Sequence, residues 1–160
     1  MLEKIKQITL QNLRYAEQML LQDVGAMSHA QLNQSRGGAT RKPYDFLYEC
    51  SLMNQRMAAR FRGEDPGPRP YPEGEFPTAP EEFCDKERAL QMLRTSFDEL
   101  RAATEALSPE ALHQPLPYGQ GQYSAFELVG FAVSHLSYHD GQLNYIQALD
   151  GDGAVHWDFS

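Results

Sequence analysis

Phe131-Ala132-Val133-Ser134-His135-Leu136-Ser137-Tyr138-His139-Asp140-Gly141-Gln142-Leu143 lies inside a long helical pattern and carries two histidines four residues apart. In a helix, residues at i and i+4 stand one turn above each other on a single face. Leu128, Ala132, His135, His139, Leu143 and Ile146 recur at steps of three or four, so that face is apolar and both imidazoles are expected to point inward. A single inward histidine is by default a hydrogen-bonded core residue. Two of them at this spacing are harder to bury without a shared partner, and both rings can reach one point beside the helix where a metal ion fits.

The same helix starts near Ser124, with Glu127 three residues later at the spacing of a capping box, and runs to Leu149, where Asp150-Gly151-Asp152-Gly153 ends it. Three further helical segments precede it. Leu2 to Leu21 is free of Gly and Pro and places Ile5, Ile8, Leu13, Ala16 and Leu20 at helical spacing. A second helix begins near Pro43 and stops at Gly63, with Phe46, Cys50, Met53, Met57 and Phe61 as its stripe. A third spans Asp85 to Leu107, with a seam of Leu90, Leu93, Phe97, Leu100 and Leu107.

Between the second and third helices, residues 64–83 carry six prolines: Pro66, Pro68, Pro70, Pro72, Pro77 and Pro80. This reads as stiff extended chain, with Tyr71 and Phe76 expected to pin it to the body. Twenty extended residues reach about 60 Å. A helix of that length spans about 30 Å, so the crossover can return to its starting end and let the two helices run parallel. Pro115, Pro117, Gly119 and Gly121 read as a loop before the fourth helix, and the tail around Trp157 as a docking segment. Four helices without an alternating strand pattern predict one all-α domain over residues 1–160, a bundle that hosts its site on facing helices.

Composition narrows the partners. Of 160 residues, 41% are hydrophobic and 22% charged, which suits a globular domain; the net charge of −8, with no basic stripe, argues against nucleic acid or an anionic membrane as partner. Arg60 and Arg62 near a helix end read as a solvated face or as a complement to the helix dipole. Cys50 and Cys84 form no CxxC motif and no disulfide framework, and the amphipathic N-terminus is neither signal peptide nor span; a cytoplasmic setting is the expectation.

Glu49 falls on or beside the apolar stripe of the second helix, a costly place for a carboxylate without a partner. It is read either as a third metal ligand or as a boundary residue that reaches solvent or pairs with an arginine. His29, His113 and His156 lie in connectors or the tail and are poorer third ligands.

His135-Leu136-Ser137-Tyr138-His139-Asp140-Gly141-Gln142-Leu143, followed by Leu149 and Gly151, resembles the HxxxHxGQ pattern of the DinB-like (YfiT-like) metalloenzymes, and the ending Gly153-Ala154-Val155-His156-Trp157-Asp158 is similar to theirs. The resemblance implies a four-helix bundle in up-down-down-up order, commonly a homodimer. It also implies one divalent metal, usually Zn or Ni, held by three histidines, two on the fourth helix and one on the second. Here Pro43-Tyr44-Asp45-Phe46-Leu47-Tyr48-Glu49 ends in Glu49 where the third histidine belongs, which leaves a site of Glu49, His135 and His139 or one that has lost its metal. A carboxylate in place of an imidazole favours harder ions such as Mn²⁺ or Fe²⁺.

The resemblance further implies a small-molecule substrate and either a thiol-dependent S-transferase, in which the metal activates a low-molecular-weight thiol, or a hydrolase. A non-catalytic bundle with a degenerate site is the alternative. Leu136 stands where HExxH peptidases place their general base, which argues against that chemistry. Tyr48, Tyr138, Asp140 and Gln142 are the candidates for the pocket or for contacts to the ligands. Tyr48 and Tyr138 could equally pack with their hydroxyls at a rim, and Asp140 could bond a ligand histidine or face solvent.

Overall fold

The computed structural model describes all 160 residues. Helices α1 (Leu2–Ala26), α2 (His29–Leu32), α3 (Pro43–Phe61), α4 (Lys86–Ala106) and α5 (Ala125–Leu149) make the molecule mostly helical. α1 runs a full turn beyond its expected end, through Gly25, because Val24 and Met27 still have core to bury. Ser28 caps α2 in a capping box with Gln31, so the short turn expected there is a stopped helix.

Local chemistry sets the ends of the long helices. Pro43 occupies the first turn of α3, and Gly63, at φ +75°, takes the left-handed conformation just beyond its end. Asp85 caps α4 by accepting from the Arg88 amide at 2.9 Å. At α5, Ser124 accepts from the Glu127 amide at 3.2 Å while the Glu127 carboxylate accepts from the Ser124 amide at 2.8 Å. Two otherwise orphaned donors are satisfied there. Ser124→Ala is expected to lower stability by about 1 kcal/mol, read as a lower urea midpoint with unchanged slope.

The core is one cluster drawn from every long helix: Leu13 and Leu20 of α1, Leu47 and Met57 of α3, Leu93 and Phe97 of α4, Leu128 and Leu143 of α5 are all fully buried. α3 packs on α4, α1 on α5, α1 on α4 and α3 on α5. Directions follow from side-chain contacts. Lys6 reaches the Glu105 and Leu107 carbonyls while Lys86 reaches those of Gly25 and Met27, so α1 and α4 are antiparallel. Tyr48 meets Phe83, and Asn54 donates to Ser96, so α3 and α4 run parallel. Phe46 stacks on His139 and Cys50 approaches His135, so α3 and α5 are antiparallel. Asn144 bonds Asp23 near the C-terminal ends of both α5 and α1, which run parallel.

The all-α expectation needs one correction. Residues 115–124 form an antiparallel hairpin, β1 (Pro115–Tyr118) with β2 (Gly121–Ser124), in register Leu116 with Tyr123 and Tyr118 with Gly121. Pro115 and Pro117 suggested a loop, but at every second position their missing N–H groups fall on one edge, away from the partner strand. Gly119, at φ +60°, makes the tight turn.

The proline-rich segment is held differently from expectation. Phe76 is 67% exposed, so it does not anchor by burial. Three polar side chains anchor the segment instead. Arg56 donates to the Pro66, Gly67 and Pro68 carbonyls, Arg41 to that of Pro77, and the Asp45 carboxylate accepts from the Ala79 amide at 2.8 Å. Phe83 is buried at its end. The tail lies along α1: Trp157 Nε1 donates to Asp23, Gln18 and Gln22 hold the Asp158 carbonyl, and Phe159 meets Tyr15 edge-on. No helix is long and apolar enough to cross a membrane.

Candidate metal centre

α5 carries His135 and His139 on its inward face, and α3, running antiparallel beside it, brings Glu49 to the same level. The two Nε2 atoms are 3.1 Å apart. Glu49 Oε1 is 3.2 Å from His135 Nε2, and Oε2 is 3.7 Å from His139 Nε2. The histidine pair and the carboxylate read from the sequence therefore meet at one point. His139 is 3% exposed; His135 keeps 21% of its side chain open to the adjoining cavity.

The neighbours fix how these groups present themselves. His139 Nδ1 lies 2.8 Å from Gln142 Oε1, an acceptor, so Nδ1 carries the proton and Nε2 offers a lone pair. Gln142 Nε2 in turn donates to the Tyr138 hydroxyl at 3.2 Å. Phe46 stacks on the His139 ring at 5.0 Å and prevents it from turning. Arg41 donates to Glu49 Oε2 at 2.6 Å and to the Asp45 carbonyl, with its guanidinium over the Phe46 and Phe76 rings. Burial pushes the Glu49 carboxyl up, but hydrogen bonds from His135 and Arg41, together with the Arg41 charge, outweigh it and hold the group far below the usual carboxylate range. Glu49 is thus ionised at any working pH.

A second set shares the histidines. Cys50, His135 and His139 each offer a ligand atom within 4.8 Å of the others. In the sequence Cys50 is one position of the apolar stripe of α3, which hides its capacity as a ligand. Its Sγ lies 4.0 Å from His135 Nδ1, not from the Nε2 atoms that converge. The residue is fully buried, and burial above all holds its thiol protonated, far above the ordinary range. As a neutral thiol it is a hydrogen-bond partner for the imidazole more than a ready anionic ligand.

The other expected residues divide. Gln142 and Tyr138 are at the site, Tyr138 at its mouth with 62% exposure. Tyr48 is not; it packs edge-on against Phe83. Asp140 neither bonds a ligand histidine nor faces solvent. One position past His139 is about 100° further round the helix, which turns Asp140 toward α1, where it is buried beside Asp23. Burial, then the Asp23 charge and hydrogen bond, raise its carboxyl far above the ordinary range. His29 bonds Tyr44 and His156 bonds Asp152, each in local contacts. Arg41 escaped the sequence reading because it sits in a connector without periodicity.

A cavity of about 680 Å³ opens onto the centre, walled by Phe46, Phe76, Tyr138, Tyr145 and Leu149, with Glu49, His135 and His139 at its base. A largely apolar cleft with a few convergent polar groups is the usual form of a small-molecule site.

The sequence profile of the DinB superfamily matches residues 12–143, a span that includes Glu49, His135 and His139. A solved DinB-like protein from Bacillus cereus ATCC 10987 superposes with a TM-score of 0.67 at 11% identity, covering 89% of this chain and 91% of that one. At that identity the likeness is one of fold. No curated protein matches the chain.

Proposed function

This chain belongs to the DinB superfamily, and we propose that it is a divalent-metal-dependent enzyme acting on a small molecule, with Glu49, His135 and His139 as the metal ligands. The observation that carries this is the triangle of two Nε2 atoms and the Glu49 oxygens, with edges of 3.1, 3.2 and 3.7 Å. Ligand atoms at 2.0–2.1 Å from a tetrahedral ion stand about 3.3 Å apart. With Nδ1 of His139 donating to Gln142, its Nε2 lone pair faces His135 Nε2 across 3.1 Å, a separation that a shared cation or a proton held between the rings bridges. The donor set of two imidazoles and a carboxylate suits Zn, Mn or Fe, and Ni remains compatible.

Held by Glu49, His135 and His139, a divalent ion would supply Lewis acidity, the chemistry that a hydrolase or a thiol-dependent S-transferase using a low-molecular-weight thiol requires. The chain's own residues do the rest. Arg41 fixes the Glu49 carboxylate, Gln142 fixes the His139 tautomer, and the aromatic wall offers an apolar surface for the substrate to pack on. In this reading the four long helices form a bundle in up-down-down-up order, supported by the contact directions above. A homodimer is part of the same reading, with the exposed Phe131 of α5 as apolar surface outside the cavity wall.

The test is elemental analysis of chelator-free protein together with turnover assays on thiol-transfer and ester substrates. One divalent ion per chain and activity lost on chelation are expected. Gln142→Leu is expected to weaken metal affinity by about 10- to 100-fold, as for other partners of ligating histidines, measured by competition with a chromogenic chelator. One observation favours a non-catalytic reading: Arg41 already neutralises Glu49 within the protein. A chain that takes up no stoichiometric divalent ion would establish it.

A further inference from the structure

A second cavity, of about 350 Å³, adjoins the centre on its other side and shares Glu49, His135 and Phe76 with the first. Arg56, Arg60 and Arg69 line it. The chain is acidic, with a net charge of −8, and its carboxylate ion pairs engage Arg14, Arg36, Arg41, Arg62 and Arg101, none of these three.

Two of the three are held in place by neutral groups. Arg56 spends its donors on the carbonyls of Pro66, Gly67 and Pro68. Arg60 donates to the Arg56 carbonyl at 2.9 Å and lies over the Tyr118 ring at 5.2 Å. Carbonyls and a ring orient a guanidinium without cancelling its charge. Arg69 is exposed at the rim of the cavity. The acidic groups facing them are Glu75, which forms no ion pair, and Glu49, which is engaged by Arg41 and the histidines. Asp65 lies close to Arg60 but accepts from the Gly67 amide. Burial, followed by the charge of Arg56 and then that of Arg69, lowers the Arg60 pKa against the opposing pull of Tyr118 and Asp65, as expected where cations cluster.

We infer that Arg56, Arg60 and Arg69 form an anion subsite for the substrate, which therefore carries a carboxylate or phosphate group on the side remote from its reacting atom. Arg56 and Arg60 are already held in place, so little of their conformational freedom is lost when an anion binds. The free donors of Arg60 and Arg69 match the oxygens of either group, and Arg56, its donors engaged by carbonyls, adds positive charge. The position beside Glu49 and His135 makes the subsite part of the same active centre. The inference rests on the metal reading only for where the reacting end lies.

The experiment is calorimetric titration of metal-free protein with inorganic phosphate and, separately, with succinate. Saturable one-site binding of at least one anion in the millimolar range or tighter is expected, the tighter probe telling a phosphorylated substrate from a carboxylate. Arg69→Gln and Arg60→Gln should each weaken it by about tenfold. Arg69→Lys should retain most of it, and Arg94→Gln, an exposed α4 arginine, should change nothing. No saturable binding of either anion, or equal binding in Arg69→Gln and Arg60→Gln, overturns the subsite. Because Arg69 is exposed, its variant folds and the comparison stands whatever Arg60→Gln does to stability. Metal-free protein keeps the two readings separate: failed anion binding leaves the metal ligands untouched, and anion binding by a chain that takes up no metal removes only those.

Discussion

His139→Ala is expected to abolish metal-dependent stabilisation. A ligand present at a hundred times its dissociation constant adds about 2.7 kcal/mol to the folded state. For a chain of this length that raises the melting temperature by roughly 5–10 °C. The readout is the difference between metal-loaded and metal-free protein, because truncating a buried ring stacked on Phe46 lowers both curves. His135→Ala should lose the difference as well, and Glu49→Gln should lose most of it, since an amide cannot supply the anionic oxygen. Cys50→Ser should keep it. A wild-type rise that survives in His139→Ala places the metal elsewhere.

The second large effect is a pH dependence set by Asp140. Asp23 and Asp140 are buried at 0% and 3% exposure between α1 and α5, and one oxygen of each has no partner within the chain. Asn144 and Trp157 serve the other Asp23 oxygen at 2.8 and 2.6 Å. The folded Asp140 carboxyl titrates far above its ordinary range, first because of burial and then because of Asp23. The unfolded chain releases this proton near pH 4, while the folded chain keeps it. Above that pH the unfolded state binds fewer protons, so stability falls as pH rises toward the folded value. The contribution is fully present below pH 4 and lost on the alkaline side.

A tenfold change in proton affinity between the states is about 1.4 kcal/mol, and the displacement spans more than one such step. Asp140→Asn, whose amide can still donate to Asp23, should therefore flatten the curve and gain relative to wild type as pH rises. Urea midpoints of metal-free protein across a pH series would show it. Parallel curves would mean that Asp140 is ionised in the fold.

The long helices were legible because each repeats its apolar positions over several turns and carries its own punctuation: Pro43 and Gly63 for α3, Asp85 for α4, Ser124 with Glu127 for α5. The hairpin was not, because Pro115 and Pro117 carry a loop signal whose reversal depends on which edge of the strand meets a partner. Phe76 shows the limit of treating an aromatic as an anchor: it lies exposed, with the Arg41 guanidinium against it. At the centre, His135, His139 and Glu49 could be read from face and spacing. Arg41 could not, since only the folded chain brings a connector residue onto α3. Arg60 and Arg62 looked alike in sequence. Arg62 does face solvent beside Glu64, but Arg60, half-buried, turns onto Tyr118 of a hairpin that the helical pattern did not contain.

Two ligand sets share the histidines and differ in one atom type, so the decisive measurement is X-ray absorption at the edge of the bound metal in loaded protein. Coordination by Glu49, His135 and His139 predicts a first shell of nitrogen and oxygen alone, at about 2.0–2.2 Å, with scattering from two imidazoles. A sulfur neighbour at about 2.3 Å, lost in Cys50→Ser, would put Cys50 in the shell and contradict the assignment of Glu49.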